Sequence, residues 1–115
     1  MAHNEYYTFD QGSVNGKILM NIRVFDEITK KTVNDMKNVS LDTSKGFQIS
    51  GTKSVVGCSI KDNEITISIH VRLKYGMNIT KTTCEIQEKI AIAIKQMTGV
   101  SVKHINIEVD NIDFD

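Results

Sequence analysis

The chain has no excess of charge of either sign: 14 Lys and Arg stand against 14 Asp and Glu, a formal net charge of zero at pH 7. A domain whose main task is gripping nucleic acid carries a basic excess, so that class is disfavoured. The same balance leaves little repulsion between copies, so self-association is not discouraged. No run of eighteen apolar residues is present, and no segment is read as spanning a membrane. The opening stretch MAHNEYYTFDQG has neither a basic n-region nor an apolar h-region, which predicts no export. Cysteine is scarce. Cys58 and Cys84 form no CxxC or zinc spacing, and without a secretion signal no disulfide is expected. Both are read as small reduced residues in or near the core of a cytoplasmic protein. The segment GFQISG between Gly46 and Gly51 lacks the Gly-Lys-Ser/Thr ending of a phosphate loop.

What is present is alternation. In Glu64–Tyr75, EITISIHVRLKY, the apolar Ile65, Ile67, Ile69, Val71, Leu73 and Tyr75 alternate with Thr66, Ser68, His70, Arg72 and Lys74. Period two over a run this long predicts a strand with one buried and one wet face. A slip of one residue would expose every apolar side chain, so the register is firmly specified. Val56, Cys58 and Ile60 share a face of a preceding strand, and Asp62-Asn63 between the two runs predicts a tight hairpin. Val102–Asp110 alternates again, with Ile105, Ile107 and Val109 against His104, Asn106, Glu108 and Asp110.

Two helices are expected. Asn21 is placed to cap the first, whose stripe is Ile22, Phe25, Ile28, Thr32 and Met36, with Asn38 as its stop. Asn78 or Thr80 caps the second, with Ile86, Ile90, Ala93, Ile94 and Met97 inward and Gly99 at its end. Ile92 projects among charges on the far side of that helix. Lys17–Met20 reads as a short strand, and Phe47–Ser50 as a weak one within a long connection. Residues 1–11, with Tyr6, Tyr7 and Phe9, read as a tail or a loosely attached strand that closes the sheet edge or docks a neighbour. The end from Asp110 reads as a solvated acidic tail.

At 115 residues one domain is expected, bounded at residues 12–112, between an N-terminal tail (1–11) and an acidic C-terminal one (113–115). The fold class is α+β: a two-layer sandwich of order β-α-β-β-β-α-β, with a mainly antiparallel sheet and two helices on one face, because alternating strands leave only one face to cover.

Chemistry is sparse. His70 and His104 are the best histidine pair, with Glu108 and Asp110 on the same face. A metal site needs three or four convergent ligands, and solvent-facing histidines are read as surface residues. No nucleophile elbow or paired-carboxylate cleft is recognisable. No catalytic, cofactor-binding or metal residue is therefore assigned, and no cofactor is expected. What remains is a candidate partner surface: His70, Arg72, Lys74, His104 and Glu108 on the polar sheet face, and Ile92 on the helix. Arg72 and Lys74 suit phosphate or acidic groups. A nucleic-acid module using the sheet face is the alternative. That face has no stacking aromatics, and the chain has no GxxG loop of the KH type.

The stretch LKYGMNITKTTCEIQEKIAIAIKQMTGVSVKHINIEV resembles the alkaline shock protein family, the envelope stress response proteins of Gram-positive bacteria. The likeness rests on Tyr75-Gly76, Asn78-Ile79, Ile86-Gln87, Met97-Thr98-Gly99 and the closing His104–Val109, in that order. The Asp62-Asn63 turn and Gly16 fit as well. It spans Gly12 to Ile112 and is specific after Gly57. Family members carry an alanine-rich first helix ending in Gly-Val, where this chain has a polar Thr29–Val39 segment with Asn38-Val39. The resemblance implies a non-enzymatic cytoplasmic protein of envelope homeostasis and stress. It also implies self-assembly, or recruitment to the membrane by a small membrane-anchored partner.

Overall fold

A computed structural model describes residues 5–9, 14, 16–43, 47–49 and 52–114. Its elements in chain order are β1 (Tyr6–Phe9), β2 (Ile18–Asn21), α1 (Ile22–Asn34), β3 (Val39–Leu41), β4 (Phe47–Ile49), β5 (Thr52–Ser54), β6 (Val56–Lys61), β7 (Glu64–Lys74), α2 (Ile79–Thr98) and β8 (His104–Asp113). The fold is α+β with both helices packed against the sheet, as the alternating strands predict.

β7 is the centre. Its inward residues Ile65, Ile67, Ile69, Val71 and Leu73 are all buried, while Thr66, Ser68, His70 and Arg72 between them are partly exposed. β6 pairs antiparallel with residues 64–69 of β7, and β3 with residues 71–73. β8 lies beside β7 from Thr66 to Lys74. A strand has two edges, so β6 and β3 must lie end to end on one edge and β8 on the other. β8 runs parallel to β7, the usual result when a helix such as α2 carries the chain back along the sheet. The hairpin turn is as expected, with Asp62 and Asn63 both at positive φ (52° and 58°), the geometry that suits the right-handed twist of paired strands.

The helices close the apolar face. Asn21 caps α1 by accepting from the Arg23 N–H, and Asn78 caps α2 by accepting from the Lys81 N–H. α1 buries Ile22, Phe25, Ile28, Thr29 and Val33. Thr29 takes the central place given above to Thr32, because its hydroxyl donates to the Phe25 carbonyl at 2.8 Å and so brings no unmet polar atom into the core. The helix stops at Asn34 rather than Asn38. Asn38 does take the left-handed conformation (φ 65°), but it does so at the turn into β3. α2 buries Thr82, Ile86, Ile90 and Ile94. Met97, expected in this stripe, is exposed, because the chain leaves the sheet there through Gly99 in the left-handed conformation.

Other readings are decided or changed by the structure. Tyr6–Phe9 is a strand paired with β2. Tyr7 meets Phe25 edge-on with ring centres 6.2 Å apart, and Phe9 packs against the core, so these aromatics close the domain. The Asn63 side chain clasps this strand, accepting from the Thr8 N–H at 2.9 Å and donating to the Thr8 carbonyl at 3.0 Å. Residues 1–4, 10, 11 and 115 of the expected tails, residues 12, 13 and 15 at the start of the expected domain, and residues 44–46, 50 and 51 of the weak connection lie outside the described residues. The acidic end is not a solvated tail up to Asp113: it is strand, and the Tyr75 N–H donates to the Asp113 carbonyl. Val39–Leu41 pairs with β7, and β4 pairs with β5 in a separate hairpin. Of the two cysteines, Cys58 is buried and Cys84 is exposed, so the core reading holds for the first only.

Candidate functional site

The polar face of β7 and β8 is built from cross-strand pairs. Parallel neighbours in register point to the same side, which sets Ser68 beside Asn106, His70 beside Glu108, Arg72 beside Asn111 and Lys74 beside Asp113. The register slips once. Val71 pairs with Val109 and Arg72 with Asn111, so Asp110 is an extra residue, a β-bulge. Without it the strand would read Ile105, Ile107, Val109, Ile112 in strict alternation.

The bulge delivers the Asp110 carboxylate to His70, Oδ2 to Nδ1 at 2.5 Å, while Glu108 Oε2 stands 3.3 Å from the same nitrogen. Further along, Arg72 gripping Asp113 donates to Oδ1 from Nη2 at 2.6 Å and from Nε at 3.1 Å. These hydrogen bonds and the carboxylate charge hold the Arg72 guanidinium above its ordinary pKa. Asp42, just past β3, donates its N–H to the His70 carbonyl at 2.8 Å. Its buried carboxylate accepts from Asn111 Nδ2 at 2.8 Å. Asp42 and Asn111 come from opposite sides of β7, so this contact bridges over the central strand. Most groups on this face are therefore paired with one another, and acids are in excess at its surface: Glu108, Asp110 and Asp113 against Arg72 and Lys74, with Asp42 buried beneath.

The six residues of the expected partner surface fall in different places. His70 and Glu108 meet, and Arg72 and Lys74 follow along the same strand. His104 does not meet His70. It lies beside Thr66, four residues back along β7, roughly 13 Å at strand rise, because the parallel register sets Glu108 rather than His104 at His70. Ile92 is on the outer side of α2, 54% exposed. It lines a shallow groove of about 440 Å³ between the helices with Thr32, Asp35, Met36, Lys89, Ala93 and Gln96. It shares no surface with the sheet face. Asp42, Asn111 and Asp113 were missed. The sequence carries one signal for the two in β8: Val109 and Ile112 are three apart where period two demands an even step.

Nothing among the described residues indicates a catalytic step. The Cys58 thiol is pushed up to about 12 by burial and then by the nearby Asp26 charge, so it stays protonated and inert at neutral pH.

A family model for the alkaline shock protein 23 family, described as having a cell envelope-related function, matches residues 11–114. The chain belongs to that family. Among curated proteins it is 26% identical over 102 residues to the uncharacterized protein Spy1535 of Streptococcus pyogenes serotype M6, covering 84% of this chain and 79% of that one. It is 33% identical over 60 residues to the uncharacterized protein YqhY of Bacillus subtilis, covering 52% and 44%. No solved structure matches. The family membership gives the chain a cell envelope-related setting, and no helix among its described residues is long and apolar enough to cross a membrane.

Proposed function

We propose that this domain is a non-enzymatic adaptor of the cell envelope, cytoplasmic and held at the membrane by docking a small membrane-anchored protein through the β7–β8 polar face. The observation that carries this reading is the family match over residues 11–114 with its cell envelope-related description. The face itself supports a choice of partner. Its acids outnumber its bases, and the cytoplasmic flanks of membrane helices are rich in Lys and Arg. A basic juxtamembrane segment is the complementary surface. The same excess of acids speaks against the nucleic-acid alternative, since the exposed Glu108 carboxylate repels phosphates. Near-zero net charge is compatible with self-association of the docked domain, which light scattering over a range of protein concentrations reads directly.

The docking test is capture from detergent-solubilised membranes of the native host. A single-span protein retained by the wild type at low salt, released by added salt and lost on Glu108→Lys, is the expected result. Equal retention by Glu108→Lys, or no membrane protein retained, overturns the reading.

A further inference from the structure

One cluster on the sheet face is more specific than an acidic surface. His70 Nδ1, a Glu108 oxygen and an Asp110 oxygen all lie within 4.8 Å of one another. We propose that His70, Glu108 and Asp110 form a divalent transition-metal site, taking Zn²⁺ or a neighbouring ion such as Mn²⁺ or Co²⁺ as ligand.

The distances suit a metal. Donors each about 2.1 Å from one ion stand roughly 3.0–3.5 Å apart for octahedral to tetrahedral angles. The His70–Glu108 separation is 3.3 Å, and the His70–Asp110 contact of 2.5 Å opens by under about 1 Å through carboxylate rotation. One imidazole nitrogen and two carboxylate oxygens form a borderline donor set, which favours Zn²⁺ and its neighbours over the all-oxygen preference of Mg²⁺ and Ca²⁺. Three ligands leave further positions to water.

The charge balance points the same way. Nδ1 carries at most one proton to share between two carboxylates, whereas a divalent ion meets both acids and the imidazole lone pair at once. The surroundings hold the donors in place. His70 and Asp110 side chains are only 17% and 22% exposed. The Asp42 N–H fixes the His70 carbonyl, and the Asp42–Asn111 contact crosses the strand beside it, so the backbone that carries the histidine is held. Asp110 is the one residue of β8 that the strand pairing does not need. Bulges recur where a strand re-aims a functional side chain, and this one aims a carboxylate at the histidine.

The test is zinc titration of the full chain in a His3→Ala, Cys84→Ser background, which removes two other side chains able to bind zinc. The expected result is one equivalent bound, with the His70 Nδ1 resonance shifting in long-range ¹H–¹⁵N spectra and that of His104 unmoved. Asp110→Asn and His70→Gln each weaken binding by at least about tenfold, and Glu108→Gln, on the exposed rim, by less. Zinc raises the melting temperature of the background protein and not that of Asp110→Asn. Unchanged zinc affinity in Asp110→Asn, or a shift at His104 in place of His70, overturns the site. Circular dichroism of each variant separates loss of ligand from loss of fold.

Discussion

Deleting Asp110 is the sharpest test of how β8 is built. The register pairs His70 with Glu108, Val71 with Val109 and Arg72 with Asn111, leaving Asp110 without a partner. Removing it joins Val109 to Asn111 and restores uninterrupted alternation, with Ile112 still beside Leu73 and Asp113 still beside Lys74. What is lost is the contact with His70, a partly exposed pair worth about 0.5–1.5 kcal/mol net. What is gained is a regular ladder in place of a bulge, so the change in stability stays within about 1 kcal/mol. Deleting Glu108 also removes one acid and also heals the count, with the opposite consequence. It turns Val109 to the polar face and sets Asp110 beside Val71, in the core. Losing part of a valine's burial costs about 1 kcal/mol and burying a carboxylate several more, so at least about 3 kcal/mol is expected. For a domain of this size that separates the melting temperatures by roughly 10 °C or more. Urea denaturation and calorimetry of the two deletions against wild type measure the difference. Equal destabilisation would refute the claim that Asp110 is the inserted residue.

Other expectations follow from single contacts. Ile67, fully buried beside Cys58 and Ile105, should cost about 2–5 kcal/mol as Ile67→Ala, and its polar neighbour as Thr66→Ala about 0.5 kcal/mol or less, both by urea midpoint. Asn78→Ala removes the bond that caps α2 and should cost about 1 kcal/mol, again by urea midpoint. For Cys58 the unfolded thiol ionises near 9 while the folded one holds its proton to about 12. Folding is thus favoured fully below pH 9 and weakens above it by about 1.4 kcal/mol per pH unit. Cys58→Ala should remove that part of the alkaline slope, and a thiol reagent at pH 8 should modify Cys84 alone in the native protein.

How much of this was readable before the structure depended on periodicity. β7 was readable because its inward and outward residues never break step, and α2 because Ile86, Ile90 and Ile94 recur each turn between an Asn cap and a Gly stop. β3 was not, because a three-residue strand shows barely one period, and Val39–Leu41 is held by its pairing with β7 rather than by its own pattern. The place of Tyr6–Phe9 depended on a distant side chain, Asn63, clasping Thr8. The fold was open to inspection; the site was not. His70 and Glu108 were recognised as outward residues of separate strands, but which residues become neighbours depends on inter-strand register. Nothing within β7 or β8 alone states that His70 meets Glu108 rather than His104. The bulge did leave a trace, the three-residue step from Val109 to Ile112.

The internal pairing of the sheet face also decides which substitutions can report on a partner. Arg72 looked like the cation a partner would meet, yet its guanidinium already binds Asp113 through two nitrogens. An arriving carboxylate would have to displace that contact, and Arg72→Glu would set two acids against each other, so its effect on binding could not be told from its effect on the sheet. Glu108 is different. Its side chain is 70% exposed, and its contact with His70 is shared with Asp110. In metal-free buffer, where occupancy of the His70–Glu108–Asp110 cluster plays no part, reversing its charge changes what a partner meets while the Arg72–Asp113 and Asp42–Asn111 contacts persist. If docking is electrostatic, Glu108→Lys should slow association and flatten its salt dependence, while Glu108→Gln gives about half the effect. Surface plasmon resonance at several ionic strengths against an immobilised Lys/Arg-rich peptide reads both. An association rate indifferent to charge at residue 108 would mean that the partner engages another surface, and the exposed Ile92 groove between the helices is then the face to mutate.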